Sequence, residues 1–385
     1  MENTNRLKVL HVLNELRYSG AEVMLRDAHD AFQRDGIYTS ILATGEDVGP
    51  YAGILKGCGY AIEHIPFRKS FRYFWRVYKF MKSNDFDVIH IHAERAYFYH
   101  SLVARLATRG RLVRSILDVF FQHGKYKRQV KTVQRYIARK WFSVQGISIS
   151  ESVREVELAK FSNPTQIIYD WIDEDTFRVP SDQERVHARK AFGLSESDFV
   201  LCVVGTCNKK KRHKDILEAV ARVKDLIPSL VLLHRGTGPD TAEEEEHVQK
   251  LGIEKNVVFL PYADSMQALY WASDCFIFSS KWEGLGNVIV EAIACGLPVI
   301  LYEGWGTNDF KPSGGRRFGY WLDPRTERFD SAILDMFEGR NRLIPEFRVN
   351  ARRQYESKFS REDSLRKLVD LYRGGCVVSS VGERA

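Results

Sequence analysis

Short β-branched apolar runs alternate with amphipathic stretches along the whole chain, the rhythm of parallel sheets covered by helices. In the first half the runs fall at residues 8–13, 38–43, 88–92, 113–118, 144–150 and 166–169. The tract YDWIDEDTFRVP at 169–180 interrupts them, and the rhythm restarts at 199–205, 230–234, 257–260, 275–279 and 299–302. This pattern predicts two α/β domains with parallel, Rossmann-like sheets, joined near residue 180. Helices are expected over 216–223 and 287–294. The spacing of Phe359, Leu365, Leu368, Val369 and Tyr372 adds a last helix with one buried face. The chain has no internal repeat of the solenoid kind.

Composition agrees with an ordinary folded chain: 385 residues, 44% hydrophobic and 28% charged. No apolar run reaches the length of a membrane span, and the opening segment lacks the basic and apolar regions of a signal peptide, so a cytoplasmic protein is expected. The six cysteines, Cys58, Cys202, Cys207, Cys275, Cys295 and Cys376, form no CxxC pair, and several sit in apolar runs. Neither disulfides nor a metal site is expected. Charge changes the picture more. The net charge is +7, yet residues 68–140 carry 18 Lys or Arg against four acids, which leaves the remainder net negative. So one-sided a segment suits phosphate, an anionic substrate or an acidic membrane surface, with a solvated basic face as the plain alternative.

In open parallel sheets ligands bind past the carboxyl ends of strands, where helix N-termini and glycine turns offer backbone N–H groups to anions. Three segments fall there. Ser19-Gly20-Ala21-Glu22 follows the first strand, and Gly20 lets the backbone approach a ligand. Val203-Val204-Gly205 opens the second domain's first loop, where 206–214 (TCNKKKRHK) crowds basic side chains before a helix and suits a phosphate clamp. The third is WEGLGNVIVEAIACGLPVI at 282–300. Here Glu283 precedes a Gly284-Leu285-Gly286 turn and Glu291 lies two turns into a helix that starts at Asn287. Carboxylates so placed can accept from sugar hydroxyls and from a ribose diol while a diphosphate rests on the turn amides.

Taken together, these residues resemble the retaining nucleotide-sugar glycosyltransferases of the GT-B fold, glycosyltransferase family four. The resemblance spans nearly the whole chain: SGAE at 19–22, DVIHIH at 87–92, ISISESV at 147–153, Gly205 with Lys211 six residues on, the GTGP turn at 236–239, Glu283 with seven residues before Glu291, ACGLPVI, and FSREDSLRKLVDLY at 359–372. It implies two Rossmann-like domains facing across a cleft: an acceptor-side domain over 1–178, a nucleotide-sugar domain over 179–358, and a segment 359–385 whose helix crosses back to the first domain.

It also implies residue roles. Lys211 would hold the donor diphosphate, Glu283 would contact the donor sugar, Glu291 would bind the ribose, and the Gly20 amide would approach the phosphates. Gly205, Thr206, Lys210, Gly284, Leu285, Gly286 and Asn287 complete the implied donor site. No cofactor and no divalent metal are implied; Lys211, its basic neighbours and helix N-termini would neutralise the leaving diphosphate. Two departures stand out. Gly-Thr-Cys at 205–207 replaces the family's Gly-Arg-Leu, so Lys209, Lys210 or Arg212 would stand in for the arginine. Leu117-Asp118 occupies the place of a His-Asp pair, so either Asp118 or His123 acts there, with His90 and His92 remaining, or the acceptor chemistry differs.

The expected reaction moves a hexosyl or N-acetylhexosaminyl group, from a donor that is a UDP sugar by family analogy, to an acceptor hydroxyl with retention. A sugar-nucleotide epimerase or a non-catalytic binding protein is the alternative. On the basic tract, Arg128, Lys131, Arg135 and Arg139 share one helical face and Val130, Val133, Ile137 and Trp141 the opposite one. With 67–82, the segment 125–141 is expected to touch anionic lipid, as members acting on lipid-linked acceptors do; an anionic soluble acceptor is the alternative. The aromatics follow helix periodicity, which argues against nucleic acid.

Overall fold

The structure, a computed structural model, describes residues 6–94, 96–119, 124–261, 266–312 and 315–375. Two compact units result: Met1–Trp171 with Arg361–Ala385, and Ile172–Ser360. The chain changes unit within the 169–180 tract.

The first unit runs β1 (Leu7–Leu13), α1 (Gly20–Arg34), β2 (Ile37–Ala43), α2 (Ala52–Gly57), β3 (Ala61–His64), α3 (Phe71–Asn84), β4 (Val88–Ile91), α4 (Tyr97–Ala107), β5 (Arg111–Ile116), α5 (Lys125–Lys140), β6 (Val144–Ser148), α6 (Glu151–Phe161) and β7 (Gln166–Ile167). Its seven strands lie in the order β3-β2-β1-β4-β5-β6-β7, all parallel. The second runs α7 (Asp182–Ala191), β8 (Phe199–Val204), α8 (His213–Val223), β9 (Leu230–Arg235), α9 (Thr241–Leu251), β10 (Val257–Leu260), α10 (Gln267–Ala272), β11 (Cys275–Phe278), α11 (Asn287–Ala294), β12 (Val299–Tyr302), β13 (Gly319–Leu322), α12 (Phe329–Glu338) and α13 (Arg340–Lys358). Its sheet is also parallel, in the order β10-β9-β8-β11-β12-β13. Finally α14 (Arg361–Arg373) belongs to the first unit, where Leu368, Val369 and Tyr372 join the core built on β1 and α1.

The central strands are covered on both faces, so their sequences are continuously apolar rather than alternating; every residue of β8 is buried. Two strands, β3 and β13, fall outside the predicted apolar runs. Both are sheet edges, and β3 is only partly covered along its length, so neither needs the β-branched density of a central strand.

The faces of α5 are the reverse of those its spacing predicts. Arg135, on the basic face, is 2% exposed, while Val130, Val133 and Trp141 on the apolar face are exposed, Trp141 by 73%. Glu157 of α6 causes the inversion. Arg135 donates to both of its carboxylate oxygens at 2.7 Å, and Asn163 donates a third bond. Burial alone would raise the Glu157 pKa, but Arg135 outweighs it and holds the carboxyl below its ordinary value. Arg114 pairs with Glu94 and lies over the Tyr97 ring at 3.6 Å, extending the network to α4. A buried carboxylate needs a cation more than α5 needs an apolar seam.

Candidate active site

In the second unit the site grows from two loops at the carboxyl edge of the sheet. One follows β8, the other follows β11, and backbone bonds tie them. Ser279 Oγ donates to the Lys211 carbonyl at 2.6 Å, and Lys281 N–H to the Lys210 carbonyl at 2.9 Å. The result is that Glu283 meets both lysines. Its Oε1 accepts from Lys211 Nζ at 2.8 Å and Ser280 Oγ at 2.5 Å, and its Oε2 from Lys210 Nζ at 3.3 Å. Burial pushes the Glu283 pKa up, but the charges of Lys211 and Lys210 win and keep it below the ordinary carboxylate value. Trp305 fixes the Glu283 backbone by accepting its N–H at 2.8 Å. Gly306 lies so close behind that a Cβ there would stand 2.6 Å from the Glu283 carbonyl oxygen, at a left-handed φ of +86°. Only glycine satisfies both demands.

Of the three candidates to replace the family arginine, Lys210 is the one that shares Glu283 with Lys211. Arg212 instead pairs with Asp215. Lys209 is exposed. Lys214 leaves the cluster as well, pairing with Glu243, and His213 is buried against Glu244. Gly205 uses its N–H on the Arg235 carbonyl at 3.0 Å, and Thr206 is exposed. The Gly284–Gly286 turn ends at Gly286, the residue that caps α11, with φ +85°. Leu285 is buried, so its side chain packs inward and its backbone is what the turn can offer a ligand. Asn287 opens the helix, whose first-turn N–H groups point out of its N-terminus. Two turns on, Glu291 Oε2 accepts from Tyr270 OH at 2.7 Å. Burial, followed by the Glu291 charge, pushes the Tyr270 pKa well up, so this phenol stays a donor. Nothing in the sequence singles out Tyr270 or Ser280.

In the first unit, Gly20 is the first residue of α1, capped by Ser19, whose hydroxyl donates to buried Glu22. His92 follows β4, and its Nε2 lies 3.1 Å from His11 Nδ1. Next to them His90 is held by Tyr372 OH of α14 at 2.5 Å and Ser115 Oγ at 2.8 Å. Burial lowers all three histidines, His92 to about 4, so the ring is neutral at physiological pH. They line a mainly apolar cavity of about 30 Å³ with Leu117 and Asp170. Asp118, past the end of β5, accepts from the Val119 N–H at 2.8 Å. His123 lies outside the described residues.

Comparison with known proteins adds independent findings. The profile described as glycosyl transferases group 1 matches residues 184–354, and that described as Glycosyltransferase Family 4 matches 18–176. Among curated relatives, N-acetyl-alpha-D-glucosaminyl L-malate synthase of Bacillus anthracis is 34% identical over 144 residues, which is 37% of each chain. The UDP-Gal:alpha-D-GlcNAc-diphosphoundecaprenol alpha-1,3-galactosyltransferase of Escherichia coli is 25% identical over 305 residues, 77% of each. Among solved structures, Anabaena HepE in complex with UDP and glucose superposes with a TM-score of 0.79 at 19% identity, covering 96% of this chain and all of the other. That likeness establishes a GT-B architecture.

Proposed function

This protein belongs to glycosyltransferase family 4, and from that premise we propose that it moves a hexosyl or N-acetylhexosaminyl group from a nucleotide sugar to an acceptor hydroxyl with retention of configuration. The observation that carries this reading is the Lys210–Glu283–Lys211 constellation beside the α11 N-terminus, with Glu291 two turns further on. Two ammonium groups and a helix N-terminus suit a diphosphate; two carboxylates suit the hydroxyls of a sugar and a ribose. A uridine nucleotide fits the reading, since HepE is known with UDP and the E. coli relative uses UDP-Gal. Gly205, Thr206 and the Gly284–Asn287 backbone complete the donor site in this proposal, and Gly20 approaches the phosphates.

The reaction follows from where charge develops. As the bond from the anomeric carbon to the diphosphate oxygen breaks, negative charge grows on the leaving oxygen, and Lys211 with Lys210 stabilises it. Such preorganised charge in a partly buried site is the largest single contribution available. The acceptor hydroxyl attacks the same face of the sugar and gives its proton to the departing phosphate oxygen. No divalent cation is assigned to this step. On the acceptor side the proposal places His92 and Asp118, with His92 neutral.

The acceptor in this reading is lipid-linked, in glycan or glycolipid biosynthesis. The exposed aromatic residues Phe71 and Trp75 of α3, Tyr126 of α5 and Trp141 just past its end, flanked by exposed lysines and arginines, suit an anionic bilayer surface. No described helix is long and apolar enough to cross a membrane. The deciding experiment incubates the protein with a panel of UDP and GDP sugars and a lipid extract. Acceptor-dependent nucleoside diphosphate release, unchanged by added Mg²⁺ or Mn²⁺ and with the α-linked product from an α-linked donor, is the expected result. Release without acceptor, or an inverted product, would overturn it.

A further inference from the structure

We propose that Cys207, His213, His234 and Glu244 form a closed structural zinc site in the second unit, bracing the lysine loop from behind. The four residues come from four places in the fold. Cys207 lies in the loop after β8, His213 opens α8, His234 is on β9, and Glu244 is in α9. All are buried, with exposures of 0%, 2%, 0% and 2%. Their ligand atoms lie within 4.8 Å of one another. Within that set, His213 Nδ1 is 3.1 Å from Glu244 Oε1 and 3.2 Å from His234 Nε2, and His234 Nε2 is 3.1 Å from Glu244 Oε2.

Zinc bonds of about 2.0–2.3 Å give ligand-to-ligand edges of roughly 3.3–3.7 Å, so these three contacts, at 3.1–3.2 Å, need to open by only a few tenths of an ångström to hold an ion. Hydrogen bonding alone accounts for the cluster less well. Were both ring nitrogens to donate to Glu244, two N–H groups would face each other across 3.2 Å. The opposite nitrogens, His213 Nε2 and His234 Nδ1, are buried without a hydrogen-bond partner, so no hydrogen bond outside the cluster turns the rings inward. A thiolate, two imidazoles and a carboxylate suit zinc, and four protein ligands leave no open position for catalysis. The backbone brings the sulfur into place: Asp240 N–H donates to the Cys207 carbonyl at 3.0 Å, and Cys207 N–H to the Thr237 carbonyl at 3.3 Å.

The consequence for the site is mechanical. Cys207 and His213 bracket the segment that carries Lys210 and Lys211, so one ion would pin both ends of the loop that holds Glu283. The spacing of the cysteines hides such a site, because each ligand comes from a different element.

The test does not depend on transferase activity. Tag-free, reduced protein is stripped of metal with a chelator and titrated with Co²⁺. One equivalent should bind with the intense visible bands of tetrahedral cobalt and a thiolate-to-cobalt charge-transfer band in the near ultraviolet, and one equivalent of Zn²⁺ should abolish both. Cys207→Ser should remove the charge-transfer band, whereas His92→Ala, which breaks the other histidine cluster, should leave it. Should Cys207→Ser not fold, the wild-type spectrum still decides, because only this cluster joins a cysteine to histidines among the described residues. Absence of stoichiometric binding, or a cobalt spectrum without the thiolate band, would refute the site.

Discussion

Lys211 and Lys210 share one carboxylate, but they do not share it equally. Lys211 sits at 2.8 Å from Glu283 Oε1 and Lys210 at 3.3 Å from Oε2, so Lys211 is the more firmly preorganised cation. Removing one preorganised donor from a developing anion costs on the order of 10²–10³ in turnover. Lys211→Ala is therefore expected to lower kcat by that factor and Lys210→Ala by roughly tenfold, measured as single-turnover nucleoside diphosphate release at saturating donor. An unchanged kcat in Lys211→Ala would remove its assigned role. The same variant deprives Glu283 of the largest influence lowering its pKa, so the acid limb of the pH–rate profile should move to higher pH. Lys211, Glu283 and Glu291 were legible in the sequence because motif spacing on a strand–loop–helix unit fixes where they point. Tyr270 and Ser280 were not. Each contributes a single hydroxyl from an element whose sequence looks like ordinary core or loop, and only the packing brings that group to the carboxylate.

At the scale of elements, the central strands and α11 were readable because two-sided burial and helical spacing leave strong patterns, while the edge strands β3 and β13 carry weak ones. The failure at α5 teaches more. Periodicity found two faces correctly and assigned them to the wrong environments, because the sequence does not reveal that Glu157 waits beneath the helix for Arg135. The reversal changes which residues the proposed bilayer contact would use. Membrane contact through α5 then rests on Tyr126, Val130, Val133 and Trp141, with Lys127, Arg128 and Lys140 beside them, and not on Arg135. Burying aromatic and branched side chains in the interface contributes apolar transfer energy, and each nearby cation adds about 1 kcal/mol on an anionic surface. A Tyr126→Ser, Trp141→Ser double variant should lose most of its co-flotation with vesicles containing anionic phospholipid at low salt while its unfolding midpoint stays put. Equal flotation of the variant and the wild type would remove α5 from the contact.

At the scale of the molecule, acid acts on the first unit through histidines that it encloses uncharged. Around β4 and α4 lie His11, His90, His92 and His100, each with its pKa lowered by burial, His92 and His100 to about 4. The sign follows from proton counts. Between the ordinary value near 6.5 and the folded value near 4, the unfolded chain binds protons that the folded chain refuses, so stability falls as pH falls through that window. His92 and His100 each contribute at most about 1.4 kcal/mol per pH unit there, or about 2 kcal/mol for His100 between pH 6.5 and 5. Glu157 and Glu283 do not mask the effect between pH 7 and 5, since carboxyls held below their ordinary value of 4.5 lose most of their stabilisation at lower pH. Glu22, whose carboxyl is raised by burial, works in the opposite direction, but it is one group against four. Hydrogen exchange of β4 and α4 amides, corrected for intrinsic rates, should therefore accelerate steadily from pH 7 to pH 5. In His100→Gln, where an amide can still meet the Tyr73 hydroxyl now bonded to the ring at 2.8 Å, the slope should flatten by one proton's worth whatever the variant's stability at pH 7. Protection that is flat from pH 7 to 5, or a slope the variant leaves unchanged, would mean these rings take up protons in the folded state.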